Sequence, residues 1–393
     1  MAFDFNISTL SIALYAAALV ALIYICSIYL HRLSLIWRRK RQCDAAEAPD
    51  PTKLPTVSII IYAQSESEAL GRNLPLMLEQ DYPAGFEIIV VNEGSSAETD
   101  MVVSALRIVH PNIYLTYTPD GARNLSRKKL ALTIGIKAAK GDVVLISDAM
   151  THVDSPLWLQ KMAKGFLNPE TKVVIGYGAP AIPASRFAGR LISAFDIVAD
   201  SAPWLAAAIA HHPYRGCGYN LAYRRQLFFE NKGFSRSLNL RRGDDDIFVH
   251  EIADGDNTTV QIAADAQVKQ ELMPFKRALK DDRISHAFTG RRLPHGSRIL
   301  MNVGDWCLWV AIACAIGGGV AAGLLNPVGW IATAVIAIGA IVAYTILWSK
   351  TIKALQGYKL VWSLPFIAIM RPWRKALFSM RSRITKGGHY TWQ

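Results

Sequence analysis

Val144-Leu145-Ile146-Ser147-Asp148-Ala149-Met150-Thr151 is the most informative segment of the chain. Its first residues form an unbroken apolar run, and the first acid, Asp148, falls where a buried strand must open into a loop. Strands that are apolar throughout, rather than alternating, belong to parallel sheets covered on both faces. Upstream, Val57-Ser58-Ile59-Ile60-Ile61, Glu87-Ile88-Ile89-Val90-Val91 and Tyr114–Tyr117 read as further strands. Between them lie helical stretches at Glu68–Glu79, Glu98–Val109 and Lys128–Ala139. Alternation of this kind predicts an α/β domain with a mostly parallel sheet flanked by helices. Such sheets bind ligands beyond the carboxyl ends of their strands, which singles out residues 62–66, 92–96 and 148–154.

Three stretches without any charged residue are long enough to span a bilayer: Ser8–Leu30, Trp306–Leu325 and Val328–Trp348. The first is preceded by Asp4 and followed by basic residues, the reverse of a cleaved signal peptide. We therefore expect one N-terminal and two C-terminal transmembrane helices. Leu360–Met370 is too short to span and contains Pro365, so it is expected to be interfacial or re-entrant.

A net charge of +12 over 393 residues would suit a nucleic-acid binder if it were spread over the chain. It is not. Residues 31–42 and 349–393 carry five and nine Lys or Arg and no acid, so these flanks exceed the whole net charge. Basic flanks beside apolar helices attract anionic lipid and set orientation. No nucleic-acid partner is expected. The positive-inside rule puts the N-terminus outside and the region between the helices in the cytoplasm, on an inner membrane crossed several times. Cys26, Cys43, Cys217, Cys307 and Cys314 have no paired spacing, which argues against a disulfide framework or a structural zinc site.

Seven motifs then follow in order. They are Pro55–Ile61, Gln80-Asp81-Tyr82-Pro83, Val90-Val91-Asn92-Glu93-Gly94-Ser95-Ser96, Lys128-Lys129-Leu130-Ala131-Leu132, Asp148-Ala149-Met150, Gly216-Cys217-Gly218-Tyr219-Asn220-Leu221-Ala222, and Gly243-Asp244-Asp245-Asp246. Together they resemble the family 2 glycosyltransferases, inverting enzymes with a GT-A fold, over about residues 55–290. The resemblance implies sugar transfer from a nucleotide donor, expected to be UDP-linked, to an acceptor hydroxyl. Glu66, Glu93, Ser95, Lys128, Asp148 and Arg283 are the implied nucleotide-sugar contacts, with Glu93 at the base. Gly216, Gly218 and Asn220 are the implied acceptor or sugar contacts. Asp245 is the implied general base, preferred over its neighbours Asp244 and Asp246 by register. Asp148 is the implied metal ligand, for Mg²⁺ or Mn²⁺.

The departures are specific. Met150 replaces the second acid of the D-x-D pair, and a thioether is a poor ligand for a hard cation. His152 and Asp154 are the alternative donors nearby. Ala97 stands where the family has Asp, and the Q-x-x-R-W motif of processive members is absent. In its region stands Leu279-Lys280-Asp281-Asp282-Arg283-Ile284-Ser285-His286. These changes favour one or a few additions to a lipid-linked or membrane-proximal acceptor. A processive synthase and a catalytically silent nucleotide-sugar-binding scaffold are the rivals. Phe187, Leu191, Phe195 and Val198 form an apolar stripe that suits either core packing or a lipid acceptor.

The expected organisation is an N-terminal transmembrane helix (1–31), a basic juxtamembrane segment and linker (32–55), and the cytoplasmic GT-A domain (56–290). A connection (291–305), a transmembrane hairpin (306–348) and a basic interfacial segment (349–393) complete it.

Overall fold

The computed structural model describes residues 8–64, 66–119, 125–182, 190–240, 242–272, 276–294 and 296–384. Phe187 lies outside them. The chain divides into two compact units, Met1–Trp37 with His295–Leu377, and Arg38–Pro294 with Phe378–Gln393. The described helices are α1 (Thr9–Ala45), α2 (Ser67–Leu78), α3 (Ala97–Arg107), α4 (Arg127–Ala138), α5 (Trp158–Ala163), α6 (Leu191–Ile209), α7 (Arg225–Glu230), α8 (Ile247–Ile252), α9 (Lys276–Thr289), α10 (Gly296–Ala322), α11 (Pro327–Ala354) and α12 (Leu364–Ile384). The strands are β1 (Val57–Ala63), β2 (Phe86–Asn92), β3 (Ile113–Tyr117), β4 (Val143–Asp148), β5 (Thr151–His152), β6 (Val173–Ile175), β7 (Gly178–Ala181), β8 (Leu221–Arg224), β9 (Thr258–Val260) and β10 (Val268–Glu271).

The second unit is α/β, built on a seven-stranded sheet in the order β3-β2-β1-β4-β8-β6-β9. The first four strands are mutually parallel, as their continuous apolar sequences require, while β8 runs antiparallel to both β4 and β6. Ile59, Ile60, Ile61, Val90, Val91, Val144 and Leu145 are buried between the helices. In register, Tyr62 lies beside Asp148 and Ala63 beside Asn92, so three strand ends open at one edge. A second sheet, β5-β10-β7, places Gln270 opposite Thr151 just past that edge.

Local chemistry sets the helix starts. Ser96 accepts from Thr99 N at 3.4 Å, and Glu98 and Asp100 occupy the first turn of α3, where the helix dipole favours acids. Ser126 caps α4 in the same way. Arg39, at the end of α1, was expected to serve the lipid surface. Instead its guanidinium donates to Val260 O (2.8 Å) and Thr259 Oγ1 (2.6 Å) on the edge strand β9. An open sheet edge needs such cover.

Among the described residues, four helices are long and apolar enough to cross a membrane: α1, α6, α10 from Ile299, and α11. α6 differs from the others, since 72% of its apolar window is buried inside the protein, against 22–33% for the rest. Of the expected stripe, Phe195 and Val198 are buried in the core and Leu191 is half-buried.

In the first unit, Tyr15 Oη donates to Gly329 O at 2.6 Å, and a Cβ on Gly318 would sit 2.6 Å from the Tyr15 ring. Asp305 is buried here. It accepts from Tyr29 Oη at 2.5 Å and pairs with the buried Arg371 of α12, whose guanidinium also lies over Trp348. A buried charge without such a partner costs several kcal/mol. The C-terminal apolar stretch is longer than expected. Pro365 sits in the first turn of α12, where a missing N–H costs nothing, and the helix continues through the basic residues to Ile384. Phe366, Trp373, Leu377, Met380 and Ile384 recur at helical spacing and are all exposed.

Candidate active site

The strand ends carry the first group of acids. Glu93, at the end of β2, is buried and accepts from Tyr62 Oη, from Gln64 Nε2 at 3.2 Å and from Arg127 Nη1 at 3.2 Å. Glu66 accepts from Gln64 N at 2.5 Å. Partial burial, with Asp148 and Glu93 adding like charge, raises its pKa. Ser95 is exposed in the left-handed region (φ 52°) beside Gly94 (φ 78°), where the chain turns sharply after the strand. Asp148 Oδ1 accepts from Met150 N (3.0 Å) and Thr151 Oγ1 (3.0 Å), and Gln270 Nε2 lies 3.1 Å from both its oxygens.

The second group is Asp244–Asp246, and its three members have different surroundings. Asp244 Oδ2 pairs with Lys128 Nζ at 2.7 Å. Burial opposes ionisation of Asp244, but the Lys128 ammonium outweighs it and takes the carboxyl well below the usual range. Asp245 is partly open. Its backbone carbonyl accepts from Gly216 N at 2.7 Å, and a Cβ on Gly218 would lie 2.9 Å from Asp245 Cβ and 3.2 Å from Oδ2. The two glycines thus make room for this carboxylate. Desolvation raises the pKa of Asp245, and the flanking Asp244 and Asp246 raise it further, against the pull of Arg215 and His286. A carboxylate between two others holds its proton to higher pH than an isolated one.

Lys128 joins the groups. Burial would lower its pKa, yet Asp244, Asp245 and Asp148 together hold it above the usual lysine value. Arg215, which the sequence reading passed over, is raised by Asp245 and Asp246 against its own burial, and its Nη2 lies 3.0 Å from His286 Nδ1. His286 Nε2 in turn lies 3.4 Å from Arg242 Nη1. Gln270 was also missed, because nothing in β10 marks it until the small sheet brings it to Asp148.

Three expected site residues have structural employment instead. Asp246 is buried, caps α8 through Ile247 N (2.6 Å) and accepts from Thr289 Oγ1 of α9 (2.5 Å). Both its oxygens are hydrogen-bonded within the fold. Asn220 is buried and donates to Tyr177 O and Ala266 O at 2.9 Å each while accepting from Trp158 Nε1 at 3.1 Å. It clips β7 and β8 together and has no free group for a sugar. Arg283 is held by Asp196 of α6 and by Ser193 O at 3.0 Å, so its guanidinium is committed to the α6–α9 packing.

The described residues around Asp148 do not build a cation centre. Among the described residues, no three His, Cys, Asp or Glu side chains converge. Asp148 is already hydrogen-bonded, and Met150 adds no hard donor. His152 lies against Asn73 Oδ1 (3.1 Å) and Asp154 (3.2 Å), and Asp154 also pairs with Lys269 (2.8 Å). The expected Asp148 site therefore offers one carboxylate, already hydrogen-bonded, and no second hard protein donor beside it. His211 accepts no such role either; its Nδ1 meets Gly255 O at 2.7 Å. The five cysteines are unpaired, and burial pushes the Cys217 thiol up to about 12, leaving it inert at neutral pH.

Known proteins fit this picture. A solved structure of the mannosyltransferase PcManGT from Pyrobaculum calidifontis, in complex with GDP-Man and Mn²⁺, shares the fold. It superposes with a TM-score of 0.57 at 22% identity, over 92% of this chain and 99% of that one. The probable glycosyltransferase YdaM of Bacillus subtilis (strain 168) is 28% identical over 183 residues, which span 44% of this chain and 42% of that protein. The motifs read from the sequence pointed to family 2, but the family model that matches is Glycosyl transferase family 21, over residues 13–378. The match runs nearly the whole length, and the chain belongs to glycosyl transferase family 21.

Proposed function

We propose that this glycosyltransferase, built on a GT-A fold, moves a sugar from a nucleotide donor to a hydroxyl on a lipid-linked or membrane-proximal acceptor, with inversion and without processive elongation. The observation that carries the reading is Lys128, which pairs with Asp244 and is raised by Asp245 and Asp148 together. Donor-edge acid and acid loop thus share one site.

Asp245 is the general base. Its carboxylate takes the proton of the acceptor hydroxyl, and the hydroxyl oxygen forms a bond to the anomeric carbon. The bond from that carbon to the diphosphate breaks, and the nucleoside diphosphate leaves with the electron pair. Lys128 offsets the charge that gathers on the leaving group, with Arg215 beside the acids as a second cation. Glu93, held in place by Tyr62, Gln64 and Arg127, presents carboxylate oxygen to an imide N–H of the base, which suits uracil.

The membrane part of the reading rests on the helices. α1, α10 and α11 are apolar along enough of their length to span. α12 shows an apolar stripe outward, flanked by Arg374, Lys375, Arg381 and Arg383, as a helix lying in an anionic interface does. The basic flanks support a cytoplasmic sheet unit on the inner membrane.

Nucleotide release by the detergent-purified protein tests the proposal. A panel of UDP- and GDP-sugars would be offered with membrane lipid extract as acceptor, and the anomer of the product assigned by NMR. Release from one donor, an inverted product and loss in Asp245→Asn are expected. Donor binding without release would establish a silent scaffold instead, and retention of configuration would remove Asp245 from its role.

A further inference from the structure

Lys128 and Lys129 are neighbours at the start of α4, yet they serve different partners. Lys128 reaches the Asp244 carboxylate. Lys129 is completely buried, and the proposed reaction gives it no part. Its Nζ donates to the carbonyls of Ser237 (2.5 Å), Arg242 (2.9 Å) and Leu240 (3.3 Å), with Ser237 Oγ at 3.1 Å. An ammonium has three N–H bonds, so these acceptors exhaust it. All of them belong to the segment that leads into Asp244.

Gly243 supports the same reading independently. It has φ +120°, and a Cβ there would stand 3.0 Å from Lys129 Nζ. Only a residue without a side chain lets the turn close against the ammonium. Beyond the turn, Gly216 N holds the Asp245 carbonyl and Asp246 caps α8. The acid loop is therefore fastened before and after Asp244 and Asp245.

We propose that Lys129 is a positioning residue for sugar transfer, a built-in cation that gathers the Ser237, Leu240 and Arg242 carbonyls and sets the register of Asp244 and Asp245. The proposal rests on Asp245 acting as the base. The charged groups that bear on Lys129 are Asp244, Asp246, Asp245 and Glu251, while Lys128, Arg215, Arg242 and His286 surround the acids. Burial lowers the Lys129 pKa to about 8 against the pull of those carboxylates, so it is charged at neutral pH. Its charge also favours ionised Asp245, because coupling between two sites is reciprocal.

The test uses the full-length protein in detergent as wild type, Lys129→Met and Ser237→Ala. Amide hydrogen exchange is followed by mass spectrometry, and nucleotide release from UDP-glucose and GDP-mannose is followed across pH. In Lys129→Met, amides from Leu240 to Phe248 should exchange about tenfold faster or more, with those of Val57–Ala63 unchanged. The kcat should fall about 100-fold with donor KM unchanged, as for a displaced catalytic group. The acid limb of kcat should move to higher pH, which simple loosening of the fold would not cause. Ser237→Ala removes one acceptor and should shift each readout the same way by less, so it decides the matter if the methionine variant does not fold. Unchanged loop exchange in both variants overturns the proposal. So does faster exchange beside an unmoved kcat and acid limb in an enzyme that needs Asp245. If Asp245→Asn itself keeps full kcat, the base assignment falls, and the exchange result still judges the hold of Lys129 on the loop.

Discussion

The two acid groups of the site solve the same problem by different means. At the strand ends, Asp148 is satisfied by neutral donors: a backbone N–H, a threonine hydroxyl and the Gln270 amide. In the loop, Asp244 and Asp245 are balanced by cations, Lys128 directly and Arg215 at longer range. Neutral donors fix a carboxylate's direction with little effect on neighbouring charges. Cations make each group's protonation depend on the others. On the proposed reading, the strand edge holds the donor and the loop moves the proton.

The largest break in this contrast should come from Asp245→Asn. Transfer is expected to fall about 10²–10⁴-fold, the range for a lost general base, with donor affinity by calorimetry unchanged. Retained turnover would put the proton elsewhere. Next is Gly218→Ala, whose new Cβ would crowd Asp245. A displaced catalytic group costs about 100-fold in kcat, and a normal kcat would show that the carboxylate is not confined there.

A smaller effect is expected from Asp244→Asn on the pH profile. Asp245 is raised by burial and then by Asp244, so the acid limb of wild-type kcat should lie above the ordinary aspartate range and move down in this variant. An unmoved limb would mean that Asp245 does not set it. Asp244 also has a stability signature. Its folded pKa is about 2, below its ordinary 3.8, so its contribution is present above 3.8 and lost as pH falls through 2. Acid unfolding of Asp244→Asn should lack that segment.

The smallest change concerns Met150→Asp, read by Mn²⁺ titration with a GDP- or UDP-sugar present. A second carboxylate beside Asp148 should tighten Mn²⁺ binding about tenfold or more, the scale on which ligand-sphere changes alter metal affinity. No change would mean that this side chain faces away from the diphosphate.

Much of this was legible in the chain. β1, β2 and β4 were marked by continuous apolar runs, and Glu66, Glu93 and Asp148 by their place at the strand ends. The burial of Asp246 and Asn220 was not legible, because motif register gives chemical type but not burial. Within one triplet, the middle residue is partly open and the last caps a helix. The Arg283 ion pair was not legible because its partner, Asp196, is 87 positions away. α12 runs past the expected stretch because the basic residues that bounded it, from Arg371 on, continue the same helix.

The sequence by itself determined the alternation of strands and helices, the apolar spans with their basic flanks, and the presence of two acid groups. These follow from hydrophobic periodicity and charge placement, which are local along the chain. Tertiary structure alone decided which acid is open, which lysine pairs with a carboxylate and which with carbonyls, and that Gln270 reaches Asp148. Those outcomes depend on backbone register and burial between distant segments, and a side chain's identity does not state what will surround it.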